Sequence, residues 1–250
     1  MSYVDKVVLV TGGSSGIGAA AAELFAAEGA AVAVVGRKRS KLDSVAQRCR
    51  DRGARALAIA ADIANDQEAS TIVQKTIEEF GKLDVLINNA GIYLEGHGLL
   101  NGKIMESYDK IMNTNLRAVV NITNLAVPEL VKTKGNIINI SSTSGRKPSP
   151  LASTYCVSKS GLDQFSRVAA LELAPSGVRV NTVSPGPVVT DILDNAGITD
   201  DLFEEWRKDT ALKRVSTPED IGDILLFLAS DKAKSITGAN FTVDNGELCW

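Results

Sequence analysis

Val7-Val8-Leu9-Val10-Thr11-Gly12-Gly13-Ser14-Ser15-Gly16-Ile17-Gly18 runs straight into Ala19-Ala20-Ala21-Ala22-Glu23-Leu24. The apolar run Val7 to Val10 reads as a strand buried on both faces. The alanine-rich stretch from about Gly18 to Glu28 reads as a helix. Glycines between them allow positive φ and close backbone approach. A helix opening there aims free N–H groups and its positive dipole end at an anion. The spacing is Gly-x-x-x-Gly-x-Gly, not Gly-x-Gly-x-x-Gly, and no Lys-Ser/Thr pair follows Gly18, so it is not a P-loop. The turn therefore reads as a pyrophosphate cradle contributed by Thr11, Gly12, Ser14, Ser15, Gly16, Ile17 and Gly18. The alternative is a tight strand–helix turn that binds nothing.

Outward from this turn, short β-branched runs alternate with helical patterns. Further strands are expected at Ala31–Val35, Leu57–Ala60, Leu83–Ile87, Asn136–Ile140, Val178–Val183 and Phe241–Val243. Ser40 with Asp43 resembles a capping box, and Gly53 marks that helix's end. Asn65 with Glu68 opens another helix, which Gly81 closes. A long helix is expected over Ile104–Val131, kinked or shortened by Pro128. Ser153–Leu173 is helical, stopped by Pro175 and Gly177. Thr217-Pro218-Glu219-Asp220 opens the last helix. Such alternation implies an α/β, doubly wound (Rossmann) fold: seven mainly parallel strands with helices on both faces. The chain reads as one domain, 1–250. Its least periodic part, about 186–214, is expected to be a substrate loop; Ile192, Leu193, Leu202, Phe203 and Trp206 stand there among acids.

Composition narrows the chemistry. The 250 residues are 44% hydrophobic and 23% charged, with a net charge of −3, and carry 21 glycines. Nothing resembles the basic footprint of a nucleic-acid binder. A single histidine, His97, leaves little room for a His-based triad. Cys49, Cys156 and Cys249 lack metal-ligand spacing, so no metal site is expected. Free thiols fit a reducing compartment. No apolar run long enough to span a membrane exists, and the residues after Met1 lack signal-peptide features, so a cytoplasmic protein is expected. Hydroxyls, amines, carboxylates or a borrowed cofactor must carry the reaction.

The second strand ends in Gly36-Arg37-Lys38-Arg39. About 20 residues past a dinucleotide turn, an acid would accept from a ribose 2′-hydroxyl. Arg37, with Lys38, offers a cation instead, suited to a 2′-phosphate. A cation near a helix start also opposes the macrodipole unless an anion arrives. NADP is therefore favoured over NAD.

Thr11-Gly12-x-x-x-Gly16-x-Gly18, Asn88-Asn89-Ala90-Gly91, Asn115, Ser142, Tyr155-x-x-x-Lys159 and Pro185-Gly186 follow one another in this order. With this ordered set the chain resembles the short-chain dehydrogenase/reductase family, in its single-domain branch of about 250 residues. The resemblance spans nearly the whole chain. It implies hydride transfer between a nicotinamide and a carbonyl or alcohol carbon. It makes Tyr155 the acid/base, Ser142 the partner of the substrate oxygen, and Lys159 a holder of the nicotinamide ribose. Asn115 would position a relay water. A free tyrosine has a pKa near 10, and a lysine at i+4 is expected to lower it. Asp62 and Ile63 are implied at the adenine, although Asp62 reads equally as a helix cap. Asn89, Ala90 and Gly91 are implied at the adenosine side. Pro185, Gly186, Val188 and Thr190 are implied at the carboxamide end.

The reading is an NADP-dependent carbonyl reductase acting on a small-molecule ketone, aldehyde or alcohol. Its apolar loop suggests a hydrophobic substrate: a steroid, an acyl chain or a xenobiotic carbonyl. The resemblance also implies a homotetramer or homodimer. An NAD-dependent alcohol dehydrogenase, a non-catalytic NADP-binding regulator and a scaffold acting through its oligomer remain open. His97 is expected at a rim and Cys156 in packing. Phe203 and Trp206 read equally as a lid, a substrate wall or ordinary packing. Asp244-Asn245-Gly246 and Ser216 depart slightly from the family pattern, and the tail Leu248-Cys249-Trp250 carries no reading.

Overall fold

The computed structural model of the chain describes residues 2–94, 97–150, 152–192 and 202–249. Seven strands form one sheet in the order β3-β2-β1-β4-β5-β6-β7. They are β1 (Val7–Thr11), β2 (Ala31–Gly36), β3 (Ala56–Ala60), β4 (Val85–Asn88), β5 (Asn136–Ile140), β6 (Arg179–Pro185) and β7 (Asn240–Val243). Every adjacent pair is parallel. Between them run α1 (Gly16–Ala27), α2 (Arg39–Asp51), α3 (Asp66–Phe80), α4 (Ile104–Met112), α5 (Ala118–Thr133), α6 (Ser153–Leu173), α7 (Leu202–Lys208) and α8 (Pro218–Ala229).

The alternation of β1 divides the core. Val8 and Val10 pack with Phe25, Leu42, Ile221 and Leu225, on the side of α1, α2 and α8. Val7 and Leu9 pack with Ile72, Ile122, Leu130 and Ala169, on the side of α3, α5 and α6. A strand with both faces buried has no polar alternation, which is why β1 reads as a continuous apolar run. The strand order reverses between β1 and β4, and the register there sets Thr11 opposite Asn88. Ligands bind in this fold at such a switch, outside the carboxyl ends of the strands.

Local expectations fare unevenly. Asn65 accepts from the N–H groups of Gln67 and Glu68, and Gly81 ends α3 at φ +84°. Thr217 and Asp220 cap α8 reciprocally. Ser40 and Asp43 form no capping box: Lys38 is the N-cap of α2 without a side-chain bond, and Asp43 instead takes the Arg39 guanidinium at 2.8 Å. The ion pair one turn along displaces the cap. The long helix over Ile104–Val131 is two helices, divided not by Pro128 but by a π-helical turn, Asn113–Arg117. At the middle of this turn stands Asn115, whose side chain bonds to the segment after β4.

Candidate active site

The glycine turn is held from behind. Thr11 Oγ1 accepts from the backbone N–H of Asn89 at 3.1 Å and of Ala90 at 3.2 Å. Asn89 Nδ2 donates to the carbonyls of Thr11 and Gly12. Thr11 and Asn89 thus spend their side chains bracing the turn. A Cβ on Gly18 would stand 2.3 Å from the Gly12 carbonyl oxygen, and Gly12 itself holds φ +65°. No larger residue fits either position without moving the turn. Ser15 precedes α1 in extended backbone with no side-chain cap, and the first turn carries no acid. The first N–H groups of an α-helix lack intrahelical partners and suit an anion.

Above the carboxyl ends of β1, β4, β5 and β6 lies a cleft of about 870 Å³. Gly12, Ser14, Ser15, Gly16, Ile17, Arg37, Asp62, Ile63, Asn89, Ala90 and Gly91 line one end; Ser142, Tyr155, Lys159, Pro185, Gly186, Val188 and Thr190 line the rest. Thr11, Gly18, Lys38 and Asn115 stand outside this wall, although Asn115 acts on it from behind. Arg37 is exposed at the edge of the cleft. Its neighbours are committed elsewhere: Arg39 to Asp43, and Lys41 to Asp191 at 2.7 Å. Asp62 Oδ1 accepts from Ala64 N–H, so a local turn uses half of its carboxylate.

At the other end, α6 presents Tyr155 and Lys159 one turn apart, and the turn after β5 presents Ser142. Lys159 is 4% exposed and donates to the Ile140 carbonyl at 2.9 Å. Burial pulls its ammonium down to about 8, against the opposing effect of Asp163. Burial pushes the Tyr155 phenol up to about 12; the Ser142 hydroxyl bonded to it works the other way, and Tyr93 and Cys156 add to the rise. The expected lowering of Tyr155 by Lys159 is not found in this arrangement. The ammonium lies 5.6 Å from the ring centroid and is turned to Ile140, so loss of solvent dominates.

Asn115 is fully buried, and its role is long-range rather than a bond to its own helix. Its Oδ1 accepts from Ile92 N–H at 2.8 Å, and its Nδ2 donates to the Ile92 carbonyl at 2.9 Å. This two-way clamp on the segment after β4 accompanies the π-helical turn. A Cβ on Gly91 would stand 3.5 Å from Asn115 Oδ1 and 3.6 Å from Lys159 Nζ, so the glycine leaves both groups facing one point.

Sequence reasoning missed several neighbours. Tyr93 meets Tyr155 edge to face, with centroids 5.2 Å apart, and lines the cleft. Its place just beyond the carboxyl end of β4 was the available signal. Ser158 Oγ donates to the Tyr155 carbonyl at 2.7 Å. Lys41–Asp191 joins residues 150 apart, which no local pattern announces. Of the residues left open, Trp206 and Leu202 line the cleft, with Phe203 packed edge to face on Trp206. Ile192 lines it too, whereas Leu193 lies outside the described residues, as do 194–201 of the expected loop and Trp250. His97 is apart from the cleft, 3.8 Å from Glu106. Cys49 is buried and Cys249 exposed.

Comparison with known proteins gives the following. A family model described as enoyl-(acyl carrier protein) reductase matches residues 12–247. The chain is 37% identical over 245 residues to a 3-oxoacyl-[acyl-carrier-protein] reductase of Chlamydia muridarum, covering 97% of each. The 3-ketoacyl-(acyl-carrier-protein) reductase of Brucella melitensis, solved with NADH, matches at TM-score 0.90 and 31% identity over 98% of this chain and 99% of that one. A glucose dehydrogenase of Caenorhabditis elegans matches at TM-score 0.87 and 36% identity over the whole of both chains.

Proposed function

The chain belongs to the short-chain dehydrogenase/reductase family and is an NAD(P)-dependent oxidoreductase; from that premise we propose that it reduces the ketone of a 3-oxoacyl thioester with NADPH. The observation that carries this reading is a single cleft with Arg37 at one end and Ser142, Tyr155 and Lys159 at the other. A nicotinamide held in this cleft would supply the hydride. Gly12, Ser14, Ser15, Gly16 and Ile17 would hold the pyrophosphate on the free N–H groups of α1. Arg37, with Lys38 beside it, meets the 2′-phosphate, and the absence of an acid at that position favours NADPH over NADH. Asp62, Ile63, Ala90 and Gly91 would hold the adenosine side, and Pro185, Gly186, Val188 and Thr190 the carboxamide side.

Tyr155 donates its proton to the carbonyl oxygen, and the Ser142 hydroxyl donates a hydrogen bond to the same oxygen. A phenol raised to about 12 is a reluctant acid, so the phenolate left behind needs support. The Ser142 hydroxyl bonded to it works in that direction. Asn115 and Lys159, facing one point beside Gly91, restore the proton through water. At the substrate end Tyr93, Leu94, Pro148, Val188, Ile192 and Trp206 make a wall that suits an acyl chain.

The chain is read as one domain with its substrate loop over 186–214, acting in the cytoplasm. Among the described residues no helix is long and apolar enough to cross a membrane. Exposed Val120 and Val131 on α5, with Val157, Val168 and Leu171 on α6, support assembly into a homodimer or homotetramer through those helices. The test is NADPH oxidation at 340 nm with acetoacetyl thioesters, steroid ketones and quinones, and NADP+ reduction with glucose. Acyl thioesters turned over best are the expected result; preference for another class would displace this substrate.

A further inference from the structure

Asp163 is a buried carboxylate that the proposed reaction does not use. It lies on α6 one turn beyond Lys159 and two beyond Tyr155, and it is 5% exposed. Its Oδ1 has no hydrogen-bond partner among the described residues. Nothing in helix packing asks for a charge here; burying a carboxylate with an unmet oxygen is costly. Its surroundings are those of the active site. Ser141, next to Ser142, lies beside it, and its single hydroxyl proton is shared between the Asp163 carboxylate and the Lys159 carbonyl, 3.3 Å away. The turn carrying Ser142 packs so close that a Cβ on Gly145 would come within 3.0 Å of Asp163 Oδ2 and 3.3 Å of the Lys159 carbonyl carbon. Ser160 Oγ donates to the Gly145 carbonyl at 2.7 Å.

We propose that Asp163 is a positioning residue of this centre: its buried negative charge, one turn along α6, favours the Lys159 ammonium, and its carboxylate packs against the Ser141–Gly145 turn that presents Ser142. The inference rests on reading Ser142, Tyr155 and Lys159 as the reacting centre. The groups acting on this set are few. Arg146, from the turn after β5, and Arg167, further along α6, act on Asp163; Tyr93 and Cys156 act on Tyr155. Asp163 opposes the fall of Lys159, while burial raises its own carboxyl from the usual range. Without it the buried ammonium would lose its counter-charge and shed its proton at lower pH.

The test is a pH titration of Lys159 in the full chain, labelled with ¹³C at the lysine ε-carbons, the signal being assigned with Lys159→Arg. One helical turn rises about 5.4 Å, and a charge within several ångströms, partly offset by two arginines, moves the midpoint by about one pH unit. Asp163→Asn should lower the Lys159 midpoint by that amount, and Asp163→Glu should restore most of it. An unmoved midpoint in Asp163→Asn, or equal shifts in both variants, would overturn the proposal. Should Asp163→Asn not fold, the unaltered protein decides: the Lys159 signal should show a smaller second inflection in acid as Asp163 protonates, and its absence would count against the idea. Neither substrate nor cofactor is needed, so the outcome stands apart from whether 3-oxoacyl thioesters are reduced.

Discussion

Replacing Arg37 by alanine should separate the two nicotinamide cofactors. Hydrogen bonds to a charged group contribute about 1.5–3 kcal/mol. Arg37 is exposed, and solvent screening reduces this to about 1–2 kcal/mol. That corresponds to roughly 5- to 30-fold in Kd for NADPH. Of the nearby cations Arg39 holds Asp43 and Lys41 holds Asp191, so only Lys38 is left to compensate, which sets the loss toward the lower end of that range. NADH, with no 2′-phosphate, should bind Arg37→Ala as it binds the unaltered protein, within about twofold. Titration calorimetry with both cofactors at low and moderate salt measures this. NADPH affinity should fall with salt in the parent and less steeply in the variant. Equal weakening of both cofactors, or of neither, would refute the assignment of Arg37 to the phosphate.

Gly18→Ala sets helix propensity against crowding. Alanine gains roughly 1 kcal/mol in a helix, yet its methyl would stand 2.3 Å from the Gly12 oxygen and 2.4 Å from Asn89 Nδ2. Overpacking against fixed backbone costs about 1–3 kcal/mol, so the urea midpoint and NADPH affinity should both fall; a stabilised variant would contradict the tight turn. Lys159→Met should stabilise the fold at pH 7. The ammonium is held near 8 when folded and titrates near 10.5 when unfolded, so its burial penalty is full below 8 and fades as pH rises toward 10.5. Allowing for the lost bond to Ile140, the gain is on the order of 2 kcal/mol. The difference in Tm between variant and parent should shrink from pH 7 to 10.5, and a difference independent of pH would speak against a charged, buried Lys159.

Residues whose partners are near in sequence were the legible ones. The apolar run of β1, the glycines after it and the Thr217–Asp220 cap each carry their structural reason within a few positions. Ser40 and Asp43 misled because Arg39, one residue earlier, offered Asp43 a stronger partner. The π-helical turn was invisible because its companion is the clamp from Asn115 to Ile92, 23 residues back in the chain. Tyr155 and Lys159 were found through the family resemblance that their ordered motifs carry, but not their protonation balance. That depends on burial and on the Ile140 carbonyl, which spacing does not encode. Lys41 and Asp191 meet only because the loop after β6 folds back over the glycine turn.

The central claim is that Tyr155 delivers the proton. Tyr155→Phe keeps the ring against Tyr93 and removes only the hydroxyl. With an acetoacetyl thioester and NADPH, kcat should fall by about 10²- to 10⁴-fold, while the Kd for NADPH stays within twofold. Turnover equal to the parent would contradict the account.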